Sequence, residues 1–285
     1  MTSINSARRD LAARLEAAGI DDAALEAKHL VAAATGLTGA SLIAEGQRDL
    51  TEAEAGRLEG VASRRLAREP LAHILGTQPF WTLDLAVSAD VLVPRADTET
   101  LVEVALDLMP ASTPGIPRIL DIGTGSGAIL LAILKERPNA YGIGTDISPE
   151  ALDIAERNAA ANGLDGRSSF RHTKWADGLP DASFDLAVSN PPYIASAVIE
   201  SLQPEVRLHD PRLALDGGAD GLDAYRVLLP ELMRVVKPGG AMAVEIGFDQ
   251  RDPVSELAVQ AGFDKVTVRS DLGGNDRVVF ARKRS

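Results

Sequence analysis

The tetrapeptide Asn190-Pro191-Pro192-Tyr193 contains residue types that can hold a planar amide or amine group for reaction. The side-chain oxygen of Asn190 and the carbonyl of Pro191 can accept two N–H hydrogen bonds, and the ring of Tyr193 can pack on a flat group. The two prolines fix φ and remove two amide donors, so the segment is stiff. An amide nitrogen is a poor nucleophile, and a protein can promote its reaction by holding it about 3–3.5 Å from the atom it attacks. Residues 190–193 are therefore predicted to bind the substrate and to be catalytic, and an adenine amine would suit them as well as an amide.

A glycine-rich loop at residues 121–127 is the second candidate site. Its glycines allow a tight turn and close approach of a ligand to the backbone, and the following helix start offers free amides. A dinucleotide would fit the spacing Gly123-x-Gly125-x-x-Ala128, whereas S-adenosylmethionine is favoured because its amino group could pair with Asp121. In either case Asp146, which ends the next predicted strand, would accept hydrogen bonds from ribose hydroxyls. The predicted cofactor-binding residues here are Asp121, Gly123, Thr124, Gly125, Ser126, Gly127 and Asp146.

Strands that alternate with helices after Pro117 place both sites at one edge of a predicted sheet. Arg118–Ile122 and Phe184–Ser189 are predicted strands, and the glycine loop and the tetrapeptide follow their carboxyl ends. Two last strands, at 265–270 and 277–281, are joined too closely for a crossover and must be antiparallel. The fold is therefore predicted to be α/β with a mostly parallel sheet, and residues 111–115 are predicted to be a loop.

The first 75 or so residues are predicted to form four or five short helices packed as a bundle, because apolar residues recur at helical spacing. Thr51 and Glu54 form a predicted capping box, and Asp22 is a predicted helix N-cap. The densest basic run, Ser63 to Arg68, is interpreted as the solvated face of a helix, with a partner-binding face as the alternative. From Phe80 to Val93 the apolar period changes to two, which predicts a β-hairpin between the bundle and the sheet.

Composition excludes several classes of protein. The 285-residue chain has no cysteine, which excludes disulfides and favours a cytoplasmic location, and its net charge of −12 disfavours a nucleic-acid partner. Neither a signal peptide nor an apolar run of membrane-spanning length is recognisable. The four histidines are scattered, so no metal site is expected.

Several segments together resemble the bacterial glutamine N5-methyltransferases of the PrmC (HemK) family, which act on peptide chain release factors. The resemblance extends over nearly the whole chain. Its most specific feature is the combination of Pro94-Arg95-Ala96-Asp97-Thr98-Glu99 with the tetrapeptide. The other matching segments are Glu69 to Gly76, Phe80-Trp81, residues 121–129, Asp146, Pro204-Glu205-Val206, Gly217 to Leu222 and Glu245-Ile246-Gly247.

This resemblance implies a seven-stranded, mostly parallel, Rossmann-like class I methyltransferase sheet with its last strand antiparallel. The implied domains are a helical substrate-recognition domain at 1–78, a β-hairpin linker at 79–95 and an S-adenosylmethionine-dependent methyltransferase domain at 96–285. It further implies that Trp175 lines the adenine pocket and that Asn190 also touches the cofactor. Arg95 and Glu99 are expected to shape the floor of the site, with pairing in the core as the alternative. The implied enzyme uses S-adenosylmethionine, yields S-adenosylhomocysteine and has release factors as partners. It is expected to be a cytoplasmic monomer that needs no metal.

Alternatives stay open from the sequence. A sibling family with the same tetrapeptide methylates a glutamine of a ribosomal protein, and related tetrapeptides serve adenine-N6 methyltransferases. A dehydrogenase would leave the tetrapeptide unexplained. The chain also departs from the family pattern at His73, where tyrosine is usual, and at His209-Asp210-Pro211, where Tyr-Glu-Pro is common.

Overall fold

The structure is a computed structural model that describes residues 2–113 and 115–285. The predicted loop at 111–115 includes Pro114, which lies outside the described residues. The chain divides into two compact units. The helical unit comprises the residues up to Gly76 together with Gln203–His209, and the sheet unit comprises Thr77–Leu202 and Asp210–Ser285. The predicted domain boundaries at 78 and 95 stay predictions.

The helical unit begins with the predicted small bundle. Its first five helices are α1 (Ile4–Ala17), α2 (Ala23–Thr35), α3 (Gly39–Ala44), α4 (Glu52–Leu66) and α5 (Leu71–Leu75). The capping box at the start of α4 is confirmed, since the Thr51 hydroxyl accepts the Glu54 amide and the Glu54 carboxylate accepts the Thr51 amide. Asp22 is confirmed as the N-cap residue of α2, although its side chain makes no capping hydrogen bond.

The solvated-face interpretation of the basic run is wrong for one residue. The side chain of Arg65 is only 6% exposed and forms ion pairs with Glu26, at 2.5 Å, and Glu205, at 2.9 Å. Arg68 also pairs with Glu205. Glu205 lies in a short helix, Pro204–His209, far along the chain, and the sequence alone gave no sign of this pairing.

The sheet unit contains two sheets. The small one pairs β1 (Thr77–Phe80) with β2 (Leu83–Ala86). The large one has seven strands in the order β5-β4-β3-β6-β7-β9-β8. Among the strands that the structure describes in this sheet, β9 alone points in the opposite direction to the other six, as predicted for the end of the chain. The seven strands are β3 (Arg118–Ile122), β4 (Tyr141–Asp146), β5 (Ser168–His172), β6 (Phe184–Ser189), β7 (Val236–Glu245), β8 (Asp264–Ser270) and β9 (Asp276–Arg282).

Helices cover both faces of the large sheet. Successive residues of its strands point to opposite sides, and both sides carry apolar residues that the helices bury. Ile119 packs with the core on the face of the helices that precede and follow β3, whereas its neighbour Leu120 packs with the core on the opposite face. The first face carries α6 (Glu99–Leu108) and α7 (Ala128–Glu136), and α8 (Pro149–Ala161) follows β4. The second face carries α12 (Asp223–Val235) and α13 (Arg251–Gln260). Ser148 caps the start of α8, since its hydroxyl accepts the Ala151 amide.

The hairpin lies earlier in the chain than its predicted strands. Its two-residue turn is Trp81-Thr82, and no strand occupies residues 91–93. Trp81 has a φ of 56°, where glycine is usual in such a turn. The backbone amide of Trp81 donates to Glu99 and its indole donates to Glu136, which stabilises this conformation. The prediction failed because these partners are distant in sequence and no turn-forming dipeptide marks the position.

Three short helices between β6 and α12 were not predicted: α9 (Ser196–Ile199), α10 (Pro204–His209) and α11 (Arg212–Leu215). Each is too short to carry a recognisable apolar period. Of these, α10 belongs to the helical unit, and the other two belong to the sheet unit.

Candidate active site

A cavity of about 450 Å³ opens at the carboxyl ends of β3, β4 and β6 in the sheet unit. In open α/β sheets this edge is where ligands bind. Nine of the predicted site residues line the cavity, namely Gly123, Thr124, Gly125, Ser126, Asp146, Trp175, Asn190, Pro191 and Pro192. The lining of the cavity does not include Asp121, Gly127 or Tyr193. Three exposed apolar side chains also line it: Ile147, Leu213 and Val227.

The glycine loop turns between β3 and α7. Gly123, Gly125 and Gly127 all have positive φ, and Gly127 is the N-cap of α7. A Cβ on Gly123 or Gly125 would meet no heavy atom within 4 Å, so the open side of this loop leaves room for a ligand close to the backbone. Glycine is required here by conformation, because L side chains rarely adopt these φ values.

Asp121 lies fully buried beneath this loop. Its Oδ2 accepts a 2.7 Å hydrogen bond from the Thr124 hydroxyl, while its Oδ1 is buried and has no partner among the described residues. Burial raises the pKa of Asp121 to about 7. An unpartnered buried oxygen next to a ligand cavity suits a cationic amino group, which would restore the carboxylate's ionised form.

Asp146 and Trp175 lie on the β4 side of the cavity. The two carboxylate oxygens of Asp146 accept the backbone amides of Gly125, at 2.9 Å, and Ser148, at 3.0 Å. Each oxygen keeps a second lone pair for an outside hydroxyl. Trp175 has a φ of 52°, and its carbonyl accepts the Thr145 hydroxyl at 2.8 Å. This hydrogen bond holds the backbone that presents the indole ring to the cavity.

Asn190 lies at the carboxyl end of β6. Its side-chain amide is oriented by Thr98, for which the sequence predicted no role. Its Nδ2 donates to the hydroxyl of Thr98 at 3.4 Å. Among the described residues, neither Oδ1 of Asn190 nor the carbonyl of Pro191 accepts a hydrogen bond. Both oxygens are therefore available to two N–H groups of a ligand in the cavity.

The backbone of the tetrapeptide is held from behind. Gln250 donates from Nε2 to the carbonyl of Tyr193 at 2.9 Å and to the carbonyl of Gly221 at 3.2 Å. A Cβ on Gly217 would lie 2.9 Å from the carbonyl oxygen of Pro192, which shows how closely the two segments pack. The Gly217 to Leu222 segment, which matched the family without a stated role, therefore supports the tetrapeptide.

Tyr193 does not line the cavity, and its side chain reaches the last residue of β7. Its hydroxyl donates to Oε1 of Glu245 at 3.3 Å. Burial and the neighbouring carboxylate raise the pKa of Tyr193, so the phenol stays protonated. Burial also raises the pKa of Glu245 to about 7. Glu245 matched the family only as part of a segment, and its apolar strand context gave no functional signal.

Arg95 and Glu99, which were expected to shape the floor of the site together, have different surroundings in the structure. Arg95 lines the cavity and donates to Oδ2 of Asp210 at 3.0 Å. Glu99 does not line the cavity; it accepts the amide of Trp81 in the hairpin turn. One of the two departures from the family pattern, Asp210, thus pairs with the arginine of the matching motif. In the helical unit, His73 and His209 both lie near Glu69 and help to lower its pKa, after its hydrogen bond from Arg64.

The described residues hold neither a metal-binding cluster nor a membrane-spanning helix. Within 2–113 and 115–285, no group of three or more His, Asp or Glu side chains is arranged to hold a metal ion. Every helix in those ranges is too short or too polar to cross a membrane.

Known proteins are similar to both parts of the chain. The family described as "PrmC N-terminal domain" matches residues 6–76, and the family described as "Methyltransferase domain" matches residues 117–265. A release factor glutamine methyltransferase from Bradyrhizobium diazoefficiens is 51% identical over 284 residues, which cover 99% of this chain and 95% of that protein. One from Caulobacter vibrioides is 47% identical over 270 residues, which cover 95% and 93%. A methyltransferase structure from Pyrococcus furiosus shares the fold, with a TM-score of 0.53 at 19% identity over 80% of this chain and all of that one.

Proposed function

This chain belongs to the family of release factor glutamine methyltransferases, and we propose that it methylates the side-chain amide nitrogen, N5, of the glutamine in the Gly-Gly-Gln motif of peptide chain release factors. S-adenosylmethionine is the proposed methyl donor, and S-adenosylhomocysteine is the second product. The observation that carries the proposal is the pair of free acceptors at the cavity, Oδ1 of Asn190 and the carbonyl of Pro191.

The two acceptors match what a primary amide requires. A glutamine side chain has two N–H donors on one nitrogen, and accepting both fixes that nitrogen and makes it more electron-rich. Asn190 cannot turn its own NH2 toward the substrate without losing its hydrogen bond to Thr98. The prolines keep the carbonyl of Pro191 in place, because their rings fix φ on either side of the peptide bond between them.

The donor set of the glycine loop fits S-adenosylmethionine. Asp121 has a buried free oxygen for the amino group, Asp146 keeps lone pairs for the ribose hydroxyls, and Trp175 offers a ring for adenine. When bound, S-adenosylmethionine supplies a methyl group that is electrophilic because it is attached to a sulfonium. The protein's part is to position the amide and to exclude water, and the amide gives up one proton to form the methylated product.

We also propose where the release factor binds, where the protein is located and in which oligomeric state it acts. The helical unit is the proposed contact surface for the release factor, because the PrmC N-terminal domain coincides with it. A release factor is a protein of translation, so we infer a cytoplasmic location. We further propose that the enzyme acts as a monomer, without a metal and without direct binding of nucleic acid, in keeping with the net charge of −12.

The direct test is a transfer assay with methyl-labelled S-adenosylmethionine. The purified protein is incubated separately with a release factor, with the same factor carrying alanine for the glutamine of its Gly-Gly-Gln loop, with a ribosomal protein and with DNA. Label is expected only on the unaltered release factor, at N5 of that glutamine. Label on the ribosomal protein alone or on DNA alone would refute the proposal.

A further inference from the structure

A chain of buried polar contacts joins both ends of the tetrapeptide to one carboxyl group. The Tyr193 hydroxyl donates directly to Oε1 of Glu245. Asn190 donates from Nδ2 to the hydroxyl of Thr98. Thr98 adjoins the Glu245 carboxyl group and helps to lower its pKa, and Oε2 of Glu245 is buried without a hydrogen-bond partner among the described residues. Thr98 is 3% exposed and Glu245 is 2% exposed, so water does not compete for these contacts.

We propose that Glu245 is a positioning residue for methyl transfer, whose buried carboxylate orients Tyr193 directly and Asn190 through Thr98. This inference rests on the proposed function, since it concerns how the amide of the substrate is held. Glu245 does not line the cavity and so reaches it through Thr98 and Asn190, which do.

The direction of the hydrogen bonds is what gives the carboxylate this role. An ionised carboxylate only accepts, so the hydroxyls of Thr98 and Tyr193 must both donate to it. The Thr98 oxygen then accepts from Asn190, and that amide can present only its oxygen to the cavity. A protonated Glu245 could itself donate to either hydroxyl, and the direction of the chain, with the orientation of Asn190, would no longer be fixed.

The surroundings of Glu245 place its ionisation within the working pH range. Arg277 on β9 favours the carboxylate, while Asp97, in the turn before α6, opposes it. Arg277 itself pairs with Asp271 at 3.0 Å and with Asp97 at 3.4 Å. These two carboxylates offset part of its positive charge, which weakens its effect on the pKa of Glu245. Tyr193 and Tyr225 complete the set of titratable groups facing this position, and both stay protonated, because burial raises the pKa of each phenol. Since burial raises the pKa of Glu245 to about 7, the carboxylate forms as the pH rises through 7.

Two variants test the chain kinetically. Glu245→Gln keeps the shape but can never be ionised, so kcat at pH 8 should fall at least about tenfold, because a displaced amide reacts slowly. The dissociation constant of S-adenosylmethionine should change less than about twofold, since binding of the cofactor does not use Glu245. Thr98→Val should reduce kcat similarly, whereas Thr98→Ser, which keeps the hydroxyl, should retain much more activity than Thr98→Val.

The pH profile separates orientation from stability. Wild-type kcat should rise with an inflection near pH 7, and Glu245→Gln should lack that inflection. Tyr225→Phe is the matched control, because the Tyr225 hydroxyl donates to the backbone carbonyl of Glu245 at 2.7 Å and not to its side chain. This variant should lose stability but keep the wild-type kcat and pH profile. Wild-type kcat in Glu245→Gln at pH 8 would overturn the proposal.

A measurement without substrate distinguishes failure of this proposal from failure of the proposed function. The side-chain amide resonances of Asn190, assigned by their loss in Asn190→Asp, should shift as the pH passes through 7. The shift should disappear in Glu245→Gln and persist in Asp121→Asn. Unchanged resonances, or the same shift in Glu245→Gln, would refute the role of Glu245 even if the release factor is methylated. If the release factor is not methylated, the titration still decides that role.

Discussion

The α-carbon of Gly221 packs directly against the carbonyl oxygen of Tyr193, so that a Cβ at position 221 would collide with that oxygen. Gly221 also has a φ of 76°, which other residues rarely adopt. Gly221→Ala should therefore displace the end of the tetrapeptide and lower kcat at least about tenfold. Steady-state kinetics with the release factor measures this loss.

The control for that variant is Gly166→Ala. Gly166 lies in an exposed turn before β5, and an added Cβ would meet no atom within 4 Å. This change should leave kcat unaltered and the free energy of unfolding within roughly 0.5 kcal/mol of wild type. Equal kinetics in the two alanine variants would show that the packing behind Tyr193 is irrelevant to turnover.

Asn190→Ala should lower kcat severely, by about a hundredfold or more, because the substrate amide loses one of its two acceptors and its fixed position. The fold should persist, since the hydrogen bond lost is a single long one, to Thr98. Turnover under saturating substrate and the circular dichroism spectrum provide the two readouts. Near-normal turnover would contradict the role given to Asn190.

Asp121 should make cofactor binding depend on pH. In the free protein burial raises its pKa to about 7, and the cationic amino group of S-adenosylmethionine would favour the ionised carboxylate. Affinity should therefore increase as the pH rises from 5.5 to 7. Calorimetric titration should show this increase in the wild type and a weaker, flatter affinity in Asp121→Asn. A pH dependence that survives the substitution would assign it to another group.

Asp121 should also make the stability of the ligand-free protein depend on pH, and this stability should fall as the pH rises, whereas cofactor affinity increases. Because its pKa is raised in the folded state, the stability linked to Asp121 is fully present below the unfolded pKa of 3.8 and is lost as the pH rises through 7. Without ligand, Asp121→Asn should be more stable than the wild type at pH 8, by a few kcal/mol at most, and the difference should shrink toward pH 4. Urea unfolding at the two pH values measures it, and a difference independent of pH would contradict this linkage.

Arg65 should stabilise the helical unit. Arg65→Ala leaves the partly buried carboxylates of Glu26 and Glu205 without this partner, so urea unfolding should show a loss of roughly 2–4 kcal/mol. The matched control is Arg14→Ala, which removes an exposed pair with Glu59 and should cost less than about 1 kcal/mol. Similar losses in the two variants would show that burial of Arg65 does not matter.

The sequence predicts the architecture well where local patterns are strong. The strands Arg118–Ile122 and Phe184–Ser189 were predicted to the residue, because short, mainly apolar segments with clear ends are typical of buried strands. The loops that follow them lie together at the cavity for a topological reason, since parallel strands end at the same edge. The identity of the candidate binding residues followed from their types at those two places.

What the sequence did not predict depends on partners distant along the chain. Trp81 takes its turn conformation with help from Glu99, and Arg65 is buried by pairing with Glu205. The contact of Thr98 with Asn190 spans 92 positions, and neither residue type predicts it. A single sequence records residue types and spacing, whereas these pairings are decided by how the elements pack.

The assignment of Gln203–His209 to the helical unit has a consequence for how such enzymes could be recombined. A chimera that exchanges only the amino-terminal 76 residues between two relatives would separate Arg65 and Arg68 from the Glu205 with which they are matched. The exchangeable module is discontinuous, made of two pieces of chain that lie more than a hundred residues apart. A graft intended to give the enzyme another relative's substrate preference should therefore carry both pieces, and inheritance of the module in evolution would be subject to the same constraint.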